Sequence, residues 1–384
     1  MGRSTGWDGK PRSQFPLWVA ATLLLVLGVG VALWIVGMPH RPAEVALPLA
    51  SVPAPALPAP AAPPPPPAPF KQVVFPTDQT NLLAADRRGV IQPTSAGRGD
   101  SGTYGSVRTV QHGRGVTPSF HEGIDIAPTR RDARGLPRDP VYAIAAGVVA
   151  YVNRAPGNSN YGNYVVLVHP DPVGPVYTLY AHLAAVTPDV RAGAPVQAGT
   201  VLGLMGHTPT GIIPLGRAHL HFEIGLIANA DFGRWFRAQR LKPDHGMFNG
   251  WNLQALDPLA FFDCQQRSSD FAFGVYLAQV PRAFELLCAA PTPVDFFRRY
   301  PGLWKSEASP SGAIVMACSA NGTPLEGRLA TESERAELGR RKAVVLTVHE
   351  DVLGRNGCRL IARERGGWKL GSSGERWLEI LTYP

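Results

Sequence analysis

Ala218-His219-Leu220-His221-Phe222-Glu223 is the stretch that decides how this chain is read. Alternate residues of a β-strand point to one face, roughly 6–7 Å apart along it. His219 and His221 therefore share an open face, while Leu220 and Phe222 turn into a core. Two imidazoles on one face suit a metal ion and a catalytic partner, and a surface strand with two histidines would look the same. The Gly/Pro-rich loop 206–216 runs into this strand, so the remaining chemistry has to come from elsewhere in the chain.

Working outward, residues 102–225 are short, apolar, β-branched runs broken by glycine. Strands are predicted within 140–152 (two, meeting at Ala146-Gly147), 164–169, 176–182, 200–205 and 219–226, with a hairpin turn at Asp171-Pro-Val-Gly174. No helical period of more than two turns occurs there, which predicts an all-β antiparallel sheet or open barrel. A short helix is expected over 231–240, and 250–263 closes this domain. Residues 264–384 read as a smaller, β-rich C-terminal accessory domain of unknown role, with strands over 313–318, 343–349 and 358–362. All four cysteines (Cys264, Cys288, Cys318, Cys358) lie in it and allow two disulfides in any of three pairings.

The first 70 residues are of another kind. Residues 17–36 are uncharged and apolar, long enough for a bilayer-spanning helix, which takes about 20 residues. Arg3, Lys10 and Arg12 precede the run against Asp8, so residues 1–16 are expected in the cytoplasm and the rest beyond the membrane. A cleaved signal peptide is the competing reading, but its apolar region runs to only about 7–15 residues. Residues 37–70 are dominated by Pro and Ala, including Pro63 to Pro67 unbroken. Such a segment buries no core and extends as polyproline II, a semi-rigid spacer. The net charge of +8 suits an anionic surface such as a wall polymer or membrane. The arginines are scattered, without zinc-finger spacing or an aromatic-basic pattern, so nucleic acid is not expected as a partner.

The second half of the chemistry is His121-Glu122-Gly123-Ile124-Asp125. Gly123 and Pro128 argue against a helix here. In a straight strand the Cα atoms of His121 and Asp125 would lie about 13 Å apart, so a bend at Gly123 is needed to converge them. The third element is His182, at the end of a strand in which Val176, Thr178, Tyr180 and His182 share a face. Together, five imidazole and carboxylate groups exceed what a structural metal site uses. Three ligands plus an open position is the arrangement of a catalytic zinc, and spare histidines beside it can move a proton.

In these motifs the chain resembles the lysostaphin-type, LytM-like zinc endopeptidases of peptidoglycan. The resemblance covers about 104–262. It rests on His121-x-Gly-x-Asp125, Pro140-Val-Tyr-Ala143, Gly147-x-Val149, Tyr161-Gly-Asn-Tyr-Val165, Tyr180-Ala-His-Leu183, Val190-x-x-Gly-x-x-Val-x-x-Gly199 and His219-Leu-His-Phe-Glu223, in the family's order. It implies a LytM-like peptidase domain within 71–263, with one zinc per chain held by His121, Asp125 and His221. It further implies that His182 and His219 orient water and stabilise the tetrahedral intermediate. Glu223, on the face of His221, would be structural. Tyr180 and Asn163 are expected to line the groove, whereas His112, His169, His207 and His245 are expected at the surface or in loops rather than as ligands.

The departures from the family are a longer loop at 130–139, a Pro/Ile-containing loop at 206–219 and an insertion between Leu226 and Asn249. The expected protein is an inner-membrane, single-pass endopeptidase with its catalytic domain in the periplasm, cutting peptidoglycan cross-links. The alternative is a non-enzymatic activator of a cell-wall amidase or the division machinery. A lipoyl-like barrel is set aside, because such domains carry a lysine at a hairpin tip and no lysine occurs between Lys71 and Lys242.

Overall fold

The computed structural model describes residues 70, 72–95, 99–112, 115–242, 245–353 and 360–384, with the backbone alone for 107–119. The expected cytoplasmic terminus (1–16), membrane helix (17–36) and all but the last residue of the Pro/Ala-rich linker (37–70) lie outside the described residues. Among the described residues no helix is long and apolar enough to cross a membrane. All of them belong to a single unit, 64–384.

Strands dominate, and every strand pair is antiparallel. β1 (Val107–His112) and β2 (Gly115–Phe120) form a hairpin that leads to β3 (Ile124–Ile126). Then follow β4 (Pro140–Tyr142), β5 (Gly147–Asn153), β6 (Asn163–His169), β7 (Val176–Leu183), β8 (Ala185–Val186), β9 (Pro195–Val196), β10 (Val201–Leu204), β11 (Leu220–Ile227) and β12 (Leu253–Leu256). They assort into a seven-stranded sheet, β12-β11-β7-β6-β5-β9 with β3 also on β11, and a three-stranded sheet, β4-β10-β8. Of the two predicted alternatives the pairing supplies antiparallel sheets; it does not establish an open barrel.

The two faces of β11 and β7 explain the placement of the site. Leu220, Phe222, Ile224 and Leu226, with Val176 and Tyr180, enter the main hydrophobic core. Each such side chain contributes about 2 kcal/mol by leaving water. Tyr177, Leu179 and Ala181 lie on the opposite face with His221 and Glu223, where a smaller cluster including Tyr164 and Val166 packs. A one-residue slip would exchange the two sets, so the pattern holds the register.

β3 meets β11 where it does because of Gly123, at the predicted bend. A Cβ there would sit 2.2 Å from the Phe222 carbonyl oxygen, so only glycine permits this approach. The resulting pairing sets Asp125 directly opposite His221.

α1 (Phe232–Ala238) is the predicted short helix and buries Phe232, Trp235 and Phe236. Beyond it the structure departs from the β-rich expectation. β13 (Phe284–Ala290), β14 (Gly312–Cys318), β15 (Pro324–Leu329) and β16 (Ala343–Val348) make a four-stranded sheet, and β17 (Ile361–Glu364) pairs with β18 (Gly367–Leu370). Among them lie α2 (Pro258–Arg267), α3 (Phe273–Gln279), α4 (Asp295–Arg299), α5 (Glu332–Leu338), α6 (Glu350–Leu353) and α7 (Ser372–Leu381). Two of these starts carry local signals. Asp257 caps α2 by accepting from the Leu259 N–H at 2.9 Å with Pro258 behind it, and Thr331 and Glu334 form a capping box on α5. Cys264 and Cys288 are buried thiols rather than halves of the expected disulfides, and burial pushes the Cys288 thiol up to about 12. Cys358 lies outside the described residues.

His169, expected at the surface or in a loop, instead ends β6 and is 1% exposed. Its Nδ1–H donates to the Ala146 carbonyl at 2.8 Å, and Nε2 meets the Thr178 hydroxyl at 2.8 Å. Burial, partly offset by the Ala146 hydrogen bond, lowers its pKa from 6.5 to about 4. The unfolded chain therefore takes up a proton that the folded chain refuses as pH falls from 6.5 to 4, so the stabilisation present at neutral pH is lost across that window. We expect this residue to remove about 3 kcal/mol of stability between pH 7 and pH 4. Urea unfolding at both pH values checks it, with His169→Gln losing that share of the dependence.

Candidate metal and catalytic site

Each functional side chain is delivered by a different part of the sheet. His121 follows β2, Asp125 is the middle residue of β3, His221 lies in β11 opposite it, His219 precedes β11, and His182 is near the end of β7. His121 Nε2 lies 3.0 Å from Asp125 Oδ1 and 3.1 Å from His221 Nδ1, which is itself 3.0 Å from the same Oδ1. All three residues are buried, and among the described residues they form a group able to hold a metal ion. His219 Nε2 stands 3.4 Å from Asp125 Oδ1, and the His182 ring lies 4.9 Å from His219 and 5.9 Å from His221. The five residues singled out in the sequence thus converge.

The second nitrogen of each imidazole explains the arrangement. His121 Nδ1 faces the Thr103 carbonyl at 3.0 Å, His182 Nδ1 the Thr208 carbonyl at 2.9 Å, and His219 Nδ1 the Arg217 carbonyl at 2.6 Å. A carbonyl oxygen only accepts, so Nδ1 carries the proton in all three and Nε2 turns inward as a lone pair. His221 is reversed, with Nε2 on Glu223 Oε1 at 2.9 Å and Nδ1 inward. The centre therefore brings two nitrogen lone pairs and a carboxylate oxygen within about 3 Å of one another, a set that only a cation or a proton can reconcile. Nitrogen and oxygen donors of this kind fit zinc.

His182 reaches the centre by a route the alternation pattern conceals. A regular strand would keep it on the face of Val176 and Tyr180, which proves to be the core face. Instead it has φ +62°, and the β6–β7 register shifts between Asn163 and Val165. A left-handed non-glycine residue costs about 1–3 kcal/mol and persists where its surroundings hold it. Here the His182 N–H donates to the Tyr161 carbonyl at 2.9 Å, and the ring is fastened to Thr208.

The charges follow from this packing. Burial alone would raise the Asp125 carboxyl, but the neighbouring His121 and His219, and the close approach of the His121 and His221 ring nitrogens, hold it well below the usual carboxylate range. Burial, followed by His219 and His221, keeps His182 well below the ordinary histidine range. Burial also lowers His219, against the pull of Asp125. Burial opposes protonation of His221 too, but its bonds to Asp125 and Glu223 prevail and raise it to about 9, so without metal a proton on Nδ1 takes the cation's place against Asp125.

A groove of about 530 Å³ opens onto His182 and His221. One wall is the 158–161 loop. The other is the insertion after β11, which presents Phe236 and Lys242, together with Trp251 just beyond it. Trp251 is 40% exposed, with the Arg376 guanidinium of α7 4.2 Å from its ring centroid. Tyr180 and Asn163, expected in the groove, are not there. Tyr180 is fully buried and its hydroxyl accepts from the Ile144 N–H at 3.0 Å, while Asn163 donates to the Leu183 carbonyl at 3.1 Å. Tyr161 takes that place. His245 lies in a loop, as expected, but is buried there against Tyr151, and His207 faces the Ile213 carbonyl.

Residues 119–231 match the family model described as peptidase family M23. Among solved structures, the chain is similar to the catalytic domain of the antimicrobial peptidase lysostaphin from Staphylococcus simulans, at 22% identity over 41% of this chain and 92% of that one, TM-score 0.26. It is similar to a zinc-containing peptidase from Vibrio cholerae at 28% identity over 35% of each chain, TM-score 0.24, and so spans about a third of that protein. The catalytic domain of the prophage-encoded M23 protein EnpA from Enterococcus faecalis matches at 22% identity over 31% of this chain and 80% of that one, TM-score 0.22. No curated protein matches the chain.

Proposed function

We propose, from the match of residues 119–231 to the model of peptidase family M23, that this chain is a zinc-dependent endopeptidase hydrolysing peptide cross-links of peptidoglycan. The observation that carries the reading is the convergence of His121 Nε2, Asp125 Oδ1 and His221 Nδ1 beside two further histidines with inward lone pairs. Zinc bound by those three atoms would acidify water and polarise a carbonyl. The chain's own residues supply the rest. His182 and His219 are neutral, and each presents Nε2 as an acceptor, so the pair can take the proton of the attacking water. The imidazolium so formed then donates to the oxyanion and to the departing amine. Thr208 and Arg217 keep both rings in the required tautomer through their carbonyls. Retention of all five groups favours hydrolysis over the non-enzymatic activator of a wall amidase.

Residues 17–36 as a membrane anchor and 37–70 as a spacer would set the domain outside the inner membrane, within reach of the wall; this placement is part of the proposal. The test is incubation of the full-length chain, loaded with one equivalent of zinc, with purified sacculi and mass spectrometry of the soluble products. Absence of new peptide termini sinks the enzymatic reading, whereas stimulation of an amidase that survives His221→Ala would establish the activator. Trp251 supplies a further prediction about the groove. Trp251→Ala is expected to raise KM about tenfold with kcat unchanged, the loss of one aromatic contact of roughly 1–1.5 kcal/mol. Steady-state kinetics on a soluble cross-linked muropeptide measures it.

A further inference from the structure

Glu223 is 1% exposed and lies in β11 two residues beyond His221, on the same face. Its Oε1 accepts from His221 Nε2 at 2.9 Å and from the Tyr161 hydroxyl at 2.7 Å, and its Oε2 accepts from the Tyr177 hydroxyl at 2.9 Å. The two phenols come from different elements, Tyr161 from the loop before β6 and Tyr177 from β7. Tyr177 pairs across the sheet with Gly225, which has no side chain to obstruct its reach toward Glu223. Tyr161 also stacks obliquely on the His221 ring, centroids 5.8 Å apart. Burial and the nearby Glu223 carboxylate hold both phenols above their ordinary range, so they stay protonated as donors.

We propose that Glu223 is a positioning residue for the metal centre, clamped by Tyr161 and Tyr177 so that His221 carries its proton on Nε2 and offers Nδ1 as the ligand atom. This rests on the reading of His121, Asp125 and His221 as zinc ligands. The physical reason is the reversal at His221. His121 is oriented by a backbone carbonyl, whereas β11 runs as regular strand through His221 and its carbonyls are engaged in the ladder with β7 and β3. A side-chain acceptor has to take that role, and a carboxylate also raises the basicity of the ligating nitrogen. Two phenol donors immobilise the carboxylate, which would otherwise have other rotamers open to it. A ligand histidine free to flip would present Nε2–H or the wrong lone pair to the ion, and affinity would fall without any ligand being lost.

The experiment uses the full-length chain and zinc alone. Zinc affinity is measured by competition with a chromogenic chelator, and the His221 tautomer by long-range proton–nitrogen correlation of the imidazoles. Glu223→Gln keeps the shape, but its amide can donate to Nε2 and favours the Nδ1–H tautomer. We expect about 10–100-fold weaker zinc binding and a change of tautomer at His221 that a merely structural substitution would not produce. Tyr177→Phe, which preserves packing, is expected to lose about tenfold.

Wild-type zinc affinity in Glu223→Gln overturns the proposal, as does a proton on Nδ1 of His221 in the zinc-loaded unsubstituted chain. Should Glu223→Gln fail to fold, the unsubstituted spectrum and Tyr177→Phe decide, wild-type affinity in the latter removing the clamp. A chain that meets these metal-binding outcomes yet leaves sacculi uncut defeats the proposed reaction and leaves the role of Glu223 standing. Cleavage of sacculi by a Glu223→Gln chain with undiminished zinc affinity does the reverse.

Discussion

His221→Ala is expected to abolish both zinc binding and turnover. The substitution removes one of three ligand atoms and leaves Asp125 Oδ1 with only one of its two 3.0 Å partners, His121. Loss of a partner that merely orients a ligand weakens binding about 10–100-fold, so loss of the ligand itself should exceed the upper end of that range. Glu223 makes the deficit worse, because removal of the imidazole deprives a buried carboxylate of a charge-assisted hydrogen bond. Zinc content after dialysis, measured by atomic emission, gives the first reading, and release of soluble muropeptides the second. A variant that keeps one equivalent of zinc and full activity would remove His221 from the site.

His219→Ala separates binding from chemistry. The residue stands 3.4 Å from Asp125 through Nε2 but lies outside the three-atom ligand group. We expect zinc retained at one equivalent and kcat reduced about 10²–10⁴-fold, the usual weight of a positioned proton-transfer group. His182→Ala should fall in the same range, and because alanine keeps a Cβ the strain of the positive φ at 182 persists while the hydrogen bond to Thr208 is lost. The double variant should cost much less than the product of the two, since groups serving one proton path are not additive. Equal losses of zinc in His219→Ala and His221→Ala would erase the division of labour.

Much of the candidate site was legible because it rests on local chemistry. The alternation through His219-Leu-His-Phe-Glu223 separates core from site directly, and Gly123 marks a close backbone approach that only glycine allows. His182 shows where legibility ends. Strand alternation assigns it to the core face, and only the bulge opposite Asn163 and the left-handed φ turn it toward His219. Tyr180 was misplaced for the same reason, its hydroxyl being used inside the core by Ile144. Trp251 escaped notice because its position depends on α7, more than a hundred residues away. In the C-terminal part, Asp257-Pro258 and Thr331-x-x-Glu334 were readable helix starts beside short apolar runs, which periodicity alone does not distinguish from strands.

The three-residue strand β3 gives the metal centre a second consequence. Asp125 faces His221 only in the observed register, and a slip by one position would set Ile124 or Ile126 there instead. Either isoleucine would offer the ion a hydrocarbon where it needs a carboxylate, while Asp125 would turn toward the core. With zinc as the ion, its capture would report the register of β3: a chain folded one residue out of register would hold none, and zinc at full stoichiometry would mark a correctly zipped strand.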